Sequence, residues 1–327
     1  MSDQRKKISI LVPAYNEQES LPALYAHLTA LADRLPAYRF EFMFVDDGSS
    51  DATISIIRNL GAHDDRIAWV ELSRNFGKEI AMIAGLDHVT GDATVLLDAD
   101  LQDPPELIPA MIEKWQEGYD DVYARRRFRD GETWLKKFTS KTYYRLLQRS
   151  TRIRLQRDTG DFRLLDRRCV EALRRFRESE RYTKGLFSWI GFRKYELLFD
   201  RAPRQAGVTK WNYRQLTNLA LDGLTSFTTA PLRWSSFIGA IVSAAAFVYI
   251  LVIVLRTLIW GSDLAGYPSL MAVVLFLGGV QLLSLGIIGE YVGRTFLESK
   301  GRPLYLTQDV RVASSEPPAS GADSARS

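Results

Sequence analysis

Two uncharged apolar runs, Phe237–Leu255 and Pro268–Gly289, constrain this 327-residue chain more than any other feature. They are 19 and 22 residues long, and roughly 20 apolar residues cross a bilayer core as a helix. A buried hairpin of a soluble protein is the alternative, but only a short Gly/Asp/Pro loop separates the runs. Two transmembrane helices are therefore expected, at about 236–259 and 268–289, inside a membrane region at 234–295. Arg204, Lys210, Arg214 and Arg233 precede the first run, and Arg294, Lys300 and Arg302 follow the second. The intervening Gly261–Tyr267 has no Lys or Arg. The positive-inside rule then puts both termini in the cytoplasm, as in a multi-pass protein of the inner (cytoplasmic) membrane. Just before the first run, Leu216–Leu232 carries apolar residues at helical intervals. It reads either as an amphipathic interface helix, over 214–233, or as a core helix of the preceding domain. Residues 296–327 read as a cytoplasmic tail, disordered from about 313, where Ser, Ala, Pro and Gly dominate.

The rest of the chain has the composition of a globular protein. Residues 7–124 alternate apolar, β-rich runs (Ile8–Val12, Phe40–Val45, Ile67–Leu72, Ala93–Leu97) with helical patterns (Ser20–Arg34, Ala52–Leu60, Lys78–Val89, Glu106–Glu117). This alternation predicts an α/β domain over 1–213, a mainly parallel sheet flanked by helices. Ligands of such sheets bind beyond the carboxyl ends of the strands. The chemistry is expected at Pro13–Glu17, Asp46–Ser50 and Asp98–Pro105. Residues 125–200 are more basic and irregular, with a helix predicted at Trp134–Leu147, a strand at Phe162–Leu165 and a helix at Arg167–Phe176. The net charge, +4 from 43 basic and 39 acidic side chains, is weak support for a polyanionic partner, and no nucleic acid is expected. The arginines are clustered: Arg125, Arg126, Arg127 and Arg129, then Arg145, Arg149, Arg152, Arg154 and Arg157. Each cluster reads as a solvated face or as a binder of phosphate or lipid headgroups. The lone Cys169 permits no internal disulfide and fits a reducing compartment. The polar Met1–Lys7 has no signal-peptide pattern, so the first domain is expected not to be exported.

The sharpest chemical element is Asp98-Ala99-Asp100, followed by Leu101-Gln102-Asp103-Pro104-Pro105, just past an apolar run. Two carboxylates one residue apart can converge on a hard cation, Mg²⁺ or Mn²⁺, that keeps places open for substrate phosphates. A lone Asp-x-Asp is common in loops, but a second acidic turn, Asp46-Asp47-Gly48-Ser49-Ser50, ends another strand. That turn either accepts hydrogen bonds from a base or ribose, or simply caps the next helix. There is no G-x-G-x-x-G after a strand and no P-loop pattern, which excludes the common dinucleotide and ATPase designs. The three histidines, His27, His63 and His88, are scattered, leaving nothing to build a zinc site or a Ser-His-Asp triad.

Val12-Pro13-Ala14-Tyr15-Asn16-Glu17, Val45-Asp46-Asp47-Gly48-Ser49 and Asp98-Ala99-Asp100-Leu101-Gln102-Asp103-Pro104-Pro105-Glu106 resemble the inverting glycosyltransferases of family 2. Arg74-Asn75-Phe76-Gly77-Lys78-Glu79, Thr159-Gly160-Asp161-Phe162-Arg163-Leu164 and Asn218–Phe227 narrow the likeness to the polyprenyl-phosphate branch, the dolichol-phosphate mannose synthases and bactoprenol glucosyltransferases. The likeness runs from about residue 7 to 305. It implies a nucleotide-sugar-binding GT-A fold in which Pro13, Tyr15, Glu17, Asp46, Asp47 and Lys78 contact the nucleotide-sugar. Asp98, Asp100 and Gln102 match the metal and diphosphate positions, and Asp161, with Asp100, the catalytic ones. Arg125, Arg204 and Lys210 are the candidates for the acceptor phosphate or the diphosphate. The loop Gly207-Val208-Thr209-Lys210-Trp211 has Thr where relatives usually have Ser, and the hydroxyl is kept. The implied reaction is inverting transfer of a hexose, UDP-glucose being the favoured donor, to a polyprenyl (undecaprenyl) phosphate, giving a lipid-linked monosaccharide for envelope glycosylation. GDP-mannose or another UDP-sugar is the alternative donor. A processive polysaccharide synthase is the more distant reading, since its extra spans and Gln-x-x-Arg-Trp motif are missing. Relatives assemble as homo-oligomers, and the same is expected here.

Overall fold

The computed structural model describes residues 5–126, 159–179, 183–199, 230–260 and 266–313. They fall into two compact units, one containing residues up to 144, 153–210 and everything from Pro303, the other mainly Trp211–Arg302. The expected helix at 134–147, the amphipathic stretch at 216–229, and Arg204 and Lys210 lie outside the described residues.

The first unit is built on β1 (Lys7–Ala14), β2 (Arg39–Asp46), β3 (Ile67–Leu72) and β4 (Ala93–Leu96), which pair in parallel in the order β4-β1-β2-β3. Their continuous apolar runs suit strands covered on both faces. Ile8, Ile10, Leu11 and Val12 are fully buried, as are Phe42, Met43, Phe44 and Val45. The crossovers are α1 (Leu21–Arg34), α2 (Thr53–His63) and α3 (Lys78–His88), with α4 (Ile108–Gln116) following β4. In α1, Leu21, Leu24, Leu28 and Leu31 form the buried stripe that a 3.6-residue period requires.

Among the described residues the sheet has eight strands, in the order β7-β5-β6-β4-β1-β2-β3-β8, with β8 at Thr307–Arg311. The outer strands depart from the parallel pattern. β5 (Asp121–Arg126) and β6 (Thr159–Asp166) are antiparallel to each other, and β6 is antiparallel to β4. β7 (Lys194–Phe199) is parallel to β5. Two helices, α5 (Arg167–Arg174) and α6 (Thr183–Trp189), join β6 to β7. Cys169 is buried on α5, its thiol donating to the Asp120 carbonyl at 3.4 Å. The strand expected at Phe162–Leu165 and the helix expected at Arg167–Phe176 are both present, as β6 and α5.

The second unit contains two long helices packed on each other, α7 (Ala230–Trp260) and α8 (Tyr267–Ser299). Within α8, Phe276–Ser299 is long and apolar enough to cross a membrane, and α7 carries the shorter apolar stretch Ser235–Tyr249. The continuous helix in α8 runs ten residues past the span end expected from the apolar run.

Three strands, β5, β7 and β8, have no counterpart in the sequence reading. β8 (Thr307–Arg311) lies in the segment expected to be a tail, yet it pairs antiparallel with β3 and closes that edge of the sheet. Trp69 Nε1 donates to Asp309 at 3.0 Å, Arg58 bridges Glu71 (2.6 Å) and Asp309 (3.1 Å), and the Arg311 guanidinium stacks over Trp69. Tyr305 adds a 2.8 Å bond to Asp87. The pattern Thr-Gln-Asp-Val-Arg has no apolar periodicity, because β8 is held by polar and stacking contacts along an edge.

Candidate active site

The parallel register brings the acidic turns together. Ala14 pairs with Asp46 and Leu11 with Leu96, so β1, β2 and β4 end at one edge of the sheet. The turns beyond them are laced by polar bonds. Asn16 takes a left-handed backbone (φ 56°), which Asn tolerates better than most residues. Its side-chain Oδ1 accepts from the Ser50 N–H at 2.8 Å, while its own backbone N–H donates to Ser49 Oγ at 2.9 Å. The Glu17 N–H donates to Thr53 Oγ1 at 2.9 Å. Between these turns lies a cavity of about 300 Å³ lined by Pro13, Tyr15, Glu17, Asp47, Lys78, Asp98 and Asp100. Seven of the residues singled out from the sequence thus share one cavity. Tyr15 is half-exposed over it (46%), where a planar ring can stack on a base.

The antiparallel pairing of β6 with β4 places the third carboxylate. Leu96 pairs with Arg163 at the end of the β4–β6 ladder; Asp98 follows two residues after Leu96, and Asp161 stands two residues before Arg163 on β6. Like charges brought close repel, and a cation is drawn between them. The Lys78 ammonium lies 2.7 and 2.8 Å from the two Asp98 oxygens and 2.8 Å from Asp161 Oδ2. Burial alone would lower the Lys78 pKa, but Asp161 and Asp98 hold it well above its ordinary value. The two aspartates shift in opposite directions. Burial raises Asp98, and Lys78 only partly offsets it because Asp161 and Asp100 are also near. Burial acts against Asp161 too, yet Lys78, Lys184 and Arg163 bring it below the usual carboxylate range. Asp161 Oδ1 is buried with no hydrogen-bond partner among the described residues.

The remaining candidates stand elsewhere. Asp46 is 1% exposed and accepts from the Ser49 N–H at 3.1 Å, behind the cavity wall. Gln102 donates its backbone N–H to Asp100 Oδ1 at 3.0 Å, closing a turn in which Leu101 has φ 56°. Arg125 sits on β5 with Nη1 2.9 and 3.0 Å from the Glu196 oxygens, outside the cavity lining. No group of three or more Asp, Glu, His or Cys side chains converges on a metal position among the described residues. Asp98 and Asp100 nevertheless suit a divalent ion of the kind completed by substrate phosphates, which needs only one or two carboxylates from the protein. The Lys78 ammonium between Asp98 and Asp161 shows that the pair already holds a cation.

Sequence reasoning missed one neighbour of Asp161. Glu79, at the start of α3, accepts from the Thr183 N–H of α6 at 3.0 Å. Burial and the Asp161 charge push its carboxyl up to about 7, against the pull of Thr183, Lys184 and Lys78. Nothing in the sequence pairs residue 79 with residue 183, because the contact is made by a backbone N–H. A consequence for stability follows. Between the ordinary value of 4.5 and about 7 the folded protein keeps a proton that the unfolded chain has released, so stability falls as pH rises across that window and is level above it. Glu79→Gln keeps the acceptor for Thr183 and removes the penalty. The variant is expected to gain on the order of 2–3 kcal/mol over wild type at pH 8 and almost nothing at pH 4. Denaturant unfolding of both at the two pH values checks this, and an equal difference at each would contradict it.

Comparison with known proteins gives this geometry a family. Residues 9–174 match the profile of glycosyl transferase family 2, and residues 230–295 match the GtrB C-terminal hairpin. An uncharacterised glycosyltransferase of Synechocystis sp. is 49% identical over 304 residues, 93% of this chain and 95% of that protein. A prophage bactoprenol glucosyl transferase homologue of Escherichia coli and the bactoprenol glucosyl transferase of a Shigella phage are each 44% identical over 305 residues, 93% of this chain and 99% of theirs. The match covers nearly the whole length of these relatives, and the chain belongs to glycosyltransferase family 2.

Proposed function

We propose that this glycosyltransferase moves a hexose, with inversion, from a nucleotide-sugar to a polyprenyl phosphate, with UDP-glucose as the donor and undecaprenyl phosphate as the acceptor. The observation that carries the reading is the Asp98–Lys78–Asp161 bridge at a cavity lined by Tyr15, Glu17 and Asp100. The relatives named as bactoprenol glucosyl transferases support the acceptor and favour glucose over mannose.

A phosphate monoester is largely anionic near neutral pH, so the acceptor needs no strong base. An acceptor oxygen forms the new bond to the anomeric carbon from the face opposite the leaving group. The bond from that carbon to the diphosphate oxygen breaks, and its electron pair leaves with the nucleoside diphosphate. The protein's task is to bring two anions together and to stabilise the one that departs, which is done by positioning and fixed charge. Asp98, Asp100 and Gln102 are the proposed holders of Mg²⁺ or Mn²⁺, which when bound offsets charge on the leaving diphosphate. Pro13, Tyr15, Glu17 and the Asp46–Asp47 turn are proposed to form the nucleotide side of the site. Asp161 is proposed to lie where the acceptor phosphate meets the sugar, with Arg204 and Lys210 the proposed holders of phosphate, Arg125 being engaged by Glu196 outside the cavity lining.

The same reading places the protein in the inner membrane with the site on the cytoplasmic side. β8 supports this, because the chain on both sides of the helical hairpin belongs to one sheet-bearing unit. A folded domain stands on one side of a bilayer, so the hairpin crosses it an even number of times. Arg294, Lys300 and Arg302, against a loop without Lys or Arg, make that side the cytoplasm.

Nucleotide-sugars do not cross membranes unaided, which permits one experiment for donor and sidedness together. Radiolabelled UDP-glucose, GDP-mannose and UDP-N-acetylglucosamine are offered to inverted and right-side-out vesicles containing the protein and undecaprenyl phosphate. Labelled lipid is expected only from UDP-glucose and only in inverted vesicles. Transfer from another donor would overturn the sugar assignment, and transfer in right-side-out vesicles would overturn the topology.

A further inference from the structure

Asp161 has a second cation near it, on α6. Arg163 shares the strand face of Asp161, two residues along β6, and lies flat on Phe187 of α6. Thr183 and Lys184 stand four and three residues before Phe187, one turn back along the same side of the helix. Glu79 pins that turn by accepting from the Thr183 N–H at 3.0 Å. The Lys184 charge reaches both carboxyls: against the burial that raises each, it helps to hold Asp161 and Glu79 ionised. Yet the Lys184 ammonium is only partly buried and makes no hydrogen bond or close ion pair among the described residues. Two buried oxygens of the same group, Thr183 Oγ1 and Asp161 Oδ1, also lack a hydrogen-bond partner among them. Asp161, Thr183 and Lys184 all stand outside the lining of the cavity beside Tyr15 and Asp100, whereas Lys78 lines it and reaches Asp161.

We infer that Lys184 is an acceptor-binding residue: its ammonium, with the Thr183 hydroxyl, holds the phosphate monoester of the incoming lipid beside Asp161. The inference rests on the proposed reaction and deepens it, by naming a holder of the acceptor phosphate among the described residues. A phosphate oxygen accepts from both groups, and its bond to an ammonium is charge-assisted. Lys78 is already shared by two aspartates, so a phosphate arriving at Asp161 meets like charge unless another cation offsets it. Lys184 is the cation in place. The donor diphosphate offers the same chemistry, but the donor cavity is lined without Lys184, so the lipid phosphate is the ligand assigned.

The test uses the full-length protein in detergent with Mg²⁺. Acetylation by acetic anhydride is followed lysine by lysine by mass spectrometry, first with UDP alone and then with farnesyl phosphate or farnesol added. Farnesyl phosphate at about ten times its Kd is expected to slow acetylation of Lys184 by about 10-fold, through occupancy of the site. UDP alone and farnesol are each expected to slow it by less than about 2-fold, because neither occupies that site. Lys184→Met is expected to raise the KM for undecaprenyl phosphate by about 10- to 100-fold, the range for a hydrogen bond to a charged group, with the UDP Kd changed by less than about 3-fold. Lys184→Arg keeps the charge and is expected to recover most of the loss. Should Lys184→Met fail to fold, acetylation of the wild-type protein decides alone. Protection by UDP or by farnesol as strong as by farnesyl phosphate would overturn the inference. So would a fall in kcat at unchanged KM in Lys184→Met, which would leave Lys184 only holding Asp161 ionised. Wild-type protein that transfers no sugar to undecaprenyl phosphate would overturn the acceptor reading itself, and is distinguishable from failure of the inference because the wild type alone shows it.

Discussion

Asp161→Asn is expected to lower transfer by about 10³-fold, the upper range for removing one preorganised charged group from an active site, while the protein stays folded and binds UDP. Asp161 differs from the other acidic residues around the cavity in three ways. It shares the Lys78 ammonium with Asp98, it is held in its charged form by Lys78, Lys184 and Arg163, and it keeps one oxygen buried without a partner among the described residues. The substitution keeps the shape and removes the charge. Lys78 is then left to Asp98 alone, and its ammonium is drawn away from residue 161. UDP affinity should be nearly unchanged, because the base-facing side of the cavity is formed by other residues. A variant retaining more than about a tenth of the wild-type rate, roughly 1.4 kcal/mol of barrier, would remove Asp161 from the reaction.

Asp121→Ala is expected to destabilise the first unit by about 3–5 kcal/mol, the range for breaking a buried ion pair by removing one of its two members. Asp121 and Arg163 are both fully buried, with Nη1 3.1 Å from Oδ2, and Lys194 Nζ stands 3.5 Å from the same oxygen. Arg163 also lies flat on Phe187, 3.7 Å from the ring centroid. Removing the carboxylate takes the counter-charge from the fully buried Arg163 guanidinium and from the partly exposed Lys194 ammonium beside it. Arg163 is two residues from Asp161 on β6, so both project from the same face of the strand. The stability loss should therefore be accompanied by a fall in activity, through displacement of Asp161. Denaturant unfolding compared with wild type reads the first effect. A loss below about 1 kcal/mol would mean that the pair is better solvated than its burial shows.

The two acidic turns and the central sheet were legible because parallel strands with helical crossovers advertise themselves by apolar runs and 3.6-residue stripes. Ile67–Leu72 became a strand with the same ends, and Ile8–Val12, Phe40–Val45 and Ala93–Leu97 became strands with ends within two residues of those expected. Asp98 and Asp100 are legible for the same reason, since they follow such a strand directly. β5 and β7 were not, because residues 125–200 mix charge with short apolar pieces, and strands at the rim alternate around ion pairs such as Arg125–Glu196 and Arg163–Asp121. β8 was hidden by lying beyond the hairpin, its pairing with β3 resting on Trp69, Arg58 and Arg311, more than two hundred residues away in sequence from their partners. For the site, resemblance singled out Asp161, but only the antiparallel register shows why it stands near Asp98. The role of Lys78 as the bridge, and the backbone bond accepted by Glu79, depend on three-dimensional proximity that no spacing in the chain encodes.

The central claim is that a lipid phosphate accepts the sugar. Purified protein in detergent with Mg²⁺ or Mn²⁺ and UDP-[¹⁴C]glucose is assayed with and without undecaprenyl phosphate, and the organic phase is counted. The account predicts a labelled, acid-labile lipid formed only when the lipid phosphate is present, with one UDP released for each sugar transferred. Release of UDP and glucose at the same rate without lipid phosphate, or label that stays in the aqueous phase when it is present, would contradict the account.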